Sequence, residues 1–205
     1  PAAAQSAMYN LSNMVIQSCM NSFGTDTIAA WGVYGKIDFV FWMTINSLGI
    51  AITTFVGQNF GAGKHDRIKS GIKQSLISVV LFCAAVSTAV FFLSEPLMSL
   101  FCTDSSTIAI GTQYLRTEGL CYVGIGLLFM LYGYYRAVNK PLMSVILTVF
   151  SLGTRVLLAY ALSPVPALGV TGIWISIPIG WFIADAVGVG YYMICGRNTI
   201  YYDKR

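Results

Sequence analysis

VGQNFGAGKHDRIKSG, residues 56–71, separates two long apolar runs with Gly57, Gly61 and Gly63, a Gln58-Asn59 pair, the chain's single histidine, His65, and the bases Lys64, Arg67 and Lys69. Glycines ahead of a lysine suggest a phosphate cradle, but the spacing rejects it. A P-loop carries glycine five residues before its Gly-Lys pair and Ser or Thr after it, and Gln58 and His65 occupy those positions. A dinucleotide fingerprint fails as well, because Gly61-Ala62-Gly63 is followed at the third position by Asp66. What remains is a reversal between two helices. Glycine permits the turn, Gln58 and Asn59 can reach the last carbonyls of the ending helix, and Asp66 suits the positive start of the next. His65 reads as a solvated loop residue, and one isolated histidine makes no metal site.

The flanking runs set the solvent. Of 205 residues, 56% are hydrophobic and 10% charged, with mean hydropathy +0.70, whereas a soluble domain carries about 25% charged residues. The class is an all-α polytopic membrane protein embedded in a lipid bilayer. Six apolar segments are each long enough to cross about 30 Å of hydrocarbon. They run approximately over residues 1–23, 27–56, 70–93, 113–138, 141–163 and 169–195, followed by a tail at 196–205. FGTD, SEP, VNKP and SPVPALG mark the other gaps. No initiator Met stands at position 1, so the sequence is expected to be a fragment of a longer chain. Five cysteines without C-x-x-C spacing read as small buried hydrophobes.

The positive-inside rule orients the bundle. Lys64, Arg67, Lys69, Lys73, Arg136, Lys140, Arg197, Lys204 and Arg205 fall in alternate connections and the tail, which makes nine; the opposite connections hold none. Lys36, Arg116 and Arg155 lie inside apolar segments. Both ends of the fragment are therefore expected in the cytoplasm, as one half of a duplicated transporter requires if its halves are parallel repeats.

Ser6, Asn10, Asn13, Gln17 and Asn21 recur at helical spacing and form one stripe on the first segment. Lipid would not tolerate it, so it either bonds neighbouring helices or lines a wet cavity. Charges at depth are functional candidates by default. Lys36 and Asp38 cannot pair with each other along one helix. Arg155 and Asp185 are their complements, and the four can form a static interhelical salt-bridge set. Alternatively, Asp38 exchanges partners with a proton, Na⁺ or a cationic substrate. Trp31 and Trp42 share its face, where aromatic rings either pack or attract organic cations. Arg116 and Glu118 read as structural residues near the outer interface. Tyr132, Tyr134, Tyr135, Tyr191, Tyr192, Tyr201 and Tyr202 read as interfacial belts.

With these residues in view, FVGQNFGAGKHDRIKSG resembles the Gly-Gln-Asn-x-Gly-Ala-x-x-x-x-Arg signature of the multidrug and toxic compound extrusion (MATE) family, through Gly57, Gln58, Asn59, Gly61, Ala62 and Arg67. NSFGTDTIAAWGVYGKID at 21–38 and GVTGIWISIPIGW at 169–181 extend the likeness over essentially the whole chain and point to the C-terminal six-helix lobe of a twelve-helix transporter. The resemblance implies an N-terminal six-helix lobe as partner. It also implies a plasma-membrane location, on the bacterial inner membrane, and export of amphipathic, drug-like, cationic compounds in exchange for Na⁺ or H⁺ by alternating access. It implies no cofactor, and neither an enzyme nor a nucleic-acid partner is expected. The candidates for the substrate or ion pathway are Asn10, Asn13, Gln17, Lys36, Asp38, Trp42, Arg155 and Asp185.

Two departures stand out. YYRAVNKP at 134–141 keeps Arg136 of the family's Arg-Gly-x-Gly-like turn but loses both glycines. One branch of the family binds its cation through a Glu in the first helix and an Asp in the fourth; here the first helix has no acid and the fourth only Glu118. Coupling through an acid in the other lobe is the resulting expectation. A lipid-linked precursor flippase of the wider transporter group is the alternative, for which Lys36 and Arg155 would supply positive charge.

Overall fold

The structure, a computed structural model, describes residues 2–196. Pro1 and the tail residues Arg197, Tyr201, Tyr202, Lys204 and Arg205, named above for orientation and the aromatic belt, lie outside it, as does the side chain of Cys195. The described chain is helical throughout: α1 (Ala2–Met20), a 3₁₀ turn (Asn21–Phe23), α2 (Thr25–Gly61), α3 (His65–Ser99), α4 (Ser105–Gly119), α5 (Tyr122–Ala137), α6 (Pro141–Leu162), α7 (Val170–Tyr191) and a π turn (Tyr192–Gly196).

Four helices, α2, α3, α6 and α7, are long and apolar enough to cross a membrane, and α4 with α5 makes a fifth if taken as one bent span. The polar stripe lowers the hydropathy of α1, whose 19 residues span about 28 Å at 1.5 Å each. α3 is the most apolar of the candidate spans, and Leu81, Phe92 and Leu93 are exposed along it. In a bilayer that outward face meets lipid.

Three expected boundaries move. The segment expected at 27–56 continues to Gly61, so Gly57, Gln58, Asn59 and Gly61 belong to the last turns of α2 rather than to a loop. Asn59 donates from its side chain to Phe55 O (2.8 Å), while the backbone amides of Ala62 and Lys64 bond Gln58 O (3.1 Å) and Asn59 O (2.8 Å). The reversal is left to Ala62, Gly63 and Lys64, with Gly63 at φ +66°, a conformation that favours glycine. His65 opens α3, half-buried against the Phe60 ring, rather than sitting in a solvated loop. The segment expected at 70–93 spans residues 65–99, because Pro96 falls in the final turn, where its carbonyl still accepts from Leu100 N (3.2 Å).

The third change bears on the site. The single helix expected at 113–138 is broken at Leu120–Cys121 into α4 and α5, bent by 53°. Gly119, Gly124 and Gly126 weaken the helix locally. They also permit close packing: a Cβ at Gly126 would lie 2.7 Å from Cys83 Sγ, and one at Gly119 3.0 Å from a Val90 methyl.

Helices α6 and α7 form an antiparallel pair, and a Cβ at Gly180 would lie 2.5 Å from Ser151 O. α5 is the central strut, packed on α2, α3, α6 and α7. Where it crosses α2, a Cβ at Gly133 would lie 2.6 Å from Gly49 O. α1 rests mainly on α6, to which Gln5 donates at Ser144 O and Thr148 Oγ1, both 2.9 Å. A wall of α1, α2 and α6 with α4 and α5 behind it therefore surrounds an open cavity.

Candidate functional site

The cavity measures about 1150 Å³. Asp38, the only carboxylate in the membrane-spanning run of α2, is 3% exposed and points into it. One oxygen accepts from Tyr34 Oη on the preceding turn (2.7 Å) and the other from Tyr122 Oη on α5 (2.6 Å). Helical spacing places Tyr34 four residues before Asp38. Tyr122 arrives because the chain bends immediately before it. Its ring stacks on Phe41 at 3.9 Å between centroids, which fixes the hydroxyl. Two short hydroxyl donors hold the carboxyl in one orientation with lone pairs still available.

Above Asp38 the aromatic rings are continuous. Tyr114 stands 4.0 Å from Tyr34, 5.4 Å from Trp31 and 5.2 Å from Trp174 between centroids. Trp42 packs against Tyr9 at 5.8 Å and Phe129 at 5.5 Å. Ring faces of this kind stabilise an organic cation or stack a flat ligand.

Glu118 corrects the sequence reading. Rather than a structural residue at the outer interface, it lines the same cavity, 2% exposed, with Oε2 lacking a hydrogen-bond partner. An unbroken helix through 138 hides this placement; the bend after Gly119 turns Glu118 inward, one turn beyond Tyr114. Arg116 does serve the scaffold, donating from Nε to Ser94 Oγ (3.0 Å) with its guanidinium over the Phe91 ring.

Arg155 faces the cavity from α6. It is 6% exposed, its Nε has no partner, and among the described residues it forms no ion pair. Arg136, at the end of α5, also lines the cavity and donates from Nε to Tyr132 O (3.0 Å). The α1 stripe contributes Ser6, Asn10, Asn13, Gln17 and Asn21 to the lining, and Gln17 donates to Asn21 Oδ1 (3.2 Å).

Of the pathway candidates, the structure brings together Asn10, Asn13, Gln17, Asp38, Trp42 and Arg155 around one cavity. Lys36 is exposed and does not line it. Asp185 is buried at 7% exposure, outside the lining, and neither oxygen has a partner. The expected four-member salt-bridge set is therefore not formed. Tyrosine hydroxyls take the place of a cation at Asp38, and Lys36 points away from the acids because its helix position lies off the face that Asp38 occupies. The tyrosine belt also changes. Tyr134 and Tyr135 are buried among the helices, with Tyr135 Oη donating to Gly188 O (2.6 Å), while Tyr191 lies beside Lys140 Nζ at 3.4 Å.

The MatE family model matches residues 1–161. A probable multidrug resistance protein of Bacillus subtilis, YoeA, is 26% identical over 199 residues, 97% of this chain and 43% of that protein. An FAD transporter of Shewanella oneidensis is 25% identical over 96% of this chain and 43% of its own length. A multidrug resistance MATE family transporter solved in an outward-facing conformation superposes with TM-score 0.89 at 14% identity, over 96% of this chain and 44% of that one. An inward-facing structure gives 0.85 at 19% identity, over 98% and 46%. The chain thus spans less than half the length of these relatives. By fold, by the matched residues and by the extent of the match, it belongs to the MatE family of membrane transporters.

Proposed function

We propose that this chain is the C-terminal six-helix lobe of a plasma-membrane antiporter that exports amphipathic, cationic compounds in exchange for Na⁺ or H⁺. The carrying observation is Asp38, held by Tyr34 and Tyr122 at the wall of an aromatic-lined cavity into which Glu118 also points. An isolated negative charge at membrane depth costs several kcal/mol. One proton, one Na⁺ or one cationic substrate would neutralise it, and mutually exclusive neutralisation is the chemistry of antiport. The cavity faces a second lobe, and alternating access comes from rocking the two lobes about it. Charge on the α2–α3 reversal and the α5–α6 connection puts those ends in the cytoplasm. Gly57, Gln58, Asn59, Gly61, Ala62 and Arg67 serve the α2–α3 reversal rather than the pathway.

The test is dye efflux from proteoliposomes holding the intact transporter, with Na⁺ and proton gradients imposed separately. Export under one gradient names the coupling ion. No export under either, from folded and inserted protein, removes the antiport reading.

A second reading is favoured by one observation: Arg136 and Arg155 line the cavity. Two guanidinium groups suit a pyrophosphate, as in a lipid-linked precursor or in the flavin dinucleotide for which one relative is named. Flipping of such a lipid without an ion gradient would select it.

A further inference from the structure

The α2–α3 reversal and the head of α3 carry charge that the cavity does not use. Residues 64–73 hold four bases, Lys64, Arg67, Lys69 and Lys73, against one acid, Asp66, and none of them lines the cavity. Among the described residues Lys64, Arg67 and Lys73 form no ion pair. α3 buries one face through Ile68, Val79, Cys83 and Val90. On the other side Arg67, Ser70, Gln74, Ile77, Leu81 and Ala84 recur at spacings of three and four and are all exposed, which makes one outward stripe. Its composition changes once along the helix: three hydrogen-bond donors come first, then only apolar side chains. Lys73, also exposed, flanks the change, one turn before Ile77. At 1.5 Å per residue, about ten residues from Ile77 onward cover about 15 Å, one leaflet's share of a hydrocarbon core of about 30 Å.

Contact with lipid tails is expected of any such apolar face. The donor set above it asks for more: a guanidinium, an ammonium, a hydroxyl and an amide share one side of the helix at the height of the lipid headgroups. A zwitterionic headgroup would bring a further cation to bases that have no counter-ion, whereas an anionic one brings only the charge they lack. From this arrangement we infer that the head of α3 binds an anionic phospholipid. Its phosphate lies on Arg67 and Lys73, its headgroup hydroxyls on Ser70 and Gln74, and one acyl chain along Ile77, Leu81 and Ala84. The long stem of Lys73 covers apolar surface while its ammonium reaches the phosphate. The inference rests on the membrane-transporter reading and is independent of the coupling ion and the cargo.

The test uses the intact transporter, delipidated in detergent, with short-chain phosphatidylglycerol and phosphatidylcholine titrated separately; the rise in unfolding temperature gives an apparent affinity for each. Each base near a membrane surface favours an anionic lipid several-fold, so phosphatidylglycerol should bind at least about tenfold more tightly than phosphatidylcholine. High salt should narrow that gap. Arg67→Gln combined with Lys73→Gln should bring the two lipids to parity by weakening phosphatidylglycerol alone. Lys140→Gln removes a base from another connection on the same side and should leave the preference in place. Equal affinity of the two lipids for the unsubstituted protein overturns the inference whether or not the variants fold. So does a preference unchanged in the double variant, or one lost as fully in Lys140→Gln, which marks diffuse attraction rather than a site. Inorganic phosphate stabilising the protein as well as phosphatidylglycerol overturns it too, because the occupant is then a free oxyanion. Binding is read without a gradient or a dye, so this inference can stand where efflux fails and fall where efflux succeeds.

Discussion

Tyr122 Oη donates to Asp38 Oδ1 at 2.6 Å, and Tyr122 is the first residue of α5 after the 53° break. The carboxyl on α2 is thereby tied to the point at which the α4–α5 span changes direction. In the proposed antiporter a cation or proton arriving at Asp38 would compete with that hydroxyl, which would link occupation of the carboxyl to the bend through one hydrogen bond.

Tyr122→Phe should keep the ring stacked on Phe41 and remove only the hydroxyl. A hydrogen bond to a charged group contributes about 1.5–3 kcal/mol, so the variant should melt earlier in detergent and show an altered ion dependence of efflux. A melting temperature and an ion profile both identical to wild type would separate the bend from the carboxyl.

Close helix packing should be intolerant at two glycines. Gly180→Ala drives a methyl into Ser151 O and Gly133→Ala drives one into Gly49 O, in both cases against backbone that cannot step aside. Overpacking of this kind costs about 1–3 kcal/mol. Gly32→Ala, which meets nothing within 4 Å, is the control and should melt close to wild type in the same thermal shift assay. Equal stability of all three would show that the α6–α7 and α2–α5 contacts are looser than described.

Asp104 caps α4 from the connection that precedes it, accepting from Thr107 N at 2.8 Å, and that bond holds its carboxyl below the usual range. A depressed folded value contributes stability that is complete above the unfolded value of about 3.9 and is lost as pH falls through the folded one. Asp104→Ala should therefore melt below wild type at neutral pH, and the gap should close on acidification below about pH 3.9. A gap that does not change with pH would mean that the cap is not the source.

Much of this was legible in the residues. The Val56–Gly71 stretch marks a helix reversal because glycine and amide chemistry allow little else, and the α1 stripe announces a polar face by spacing alone. Asp38 stands out as an acid in an apolar run. The bend at Leu120–Cys121 was not legible: no proline marks it, and three glycines weaken a helix without stating where it breaks. A helix unbroken through this point puts Glu118 near the outer interface, and the bend puts it in the cavity. The partners of Asp38 were equally hidden, since opposite charge suggested Arg155 whereas geometry supplied Tyr122, 84 positions away in sequence. Asp185 remains a buried carboxyl without a partner, for which the structure offers no physical account.

If Asp38 couples ion and substrate as proposed, gradient-driven dye efflux in proteoliposomes by wild type and Asp38→Asn, at matched and verified insertion, reports it directly. Asparagine keeps the shape and removes the charge, so the account predicts a loss of gradient-driven efflux of about tenfold or more, the equivalent of about 1.4 kcal/mol. Efflux by Asp38→Asn at the wild-type rate and with the same ion dependence would contradict it.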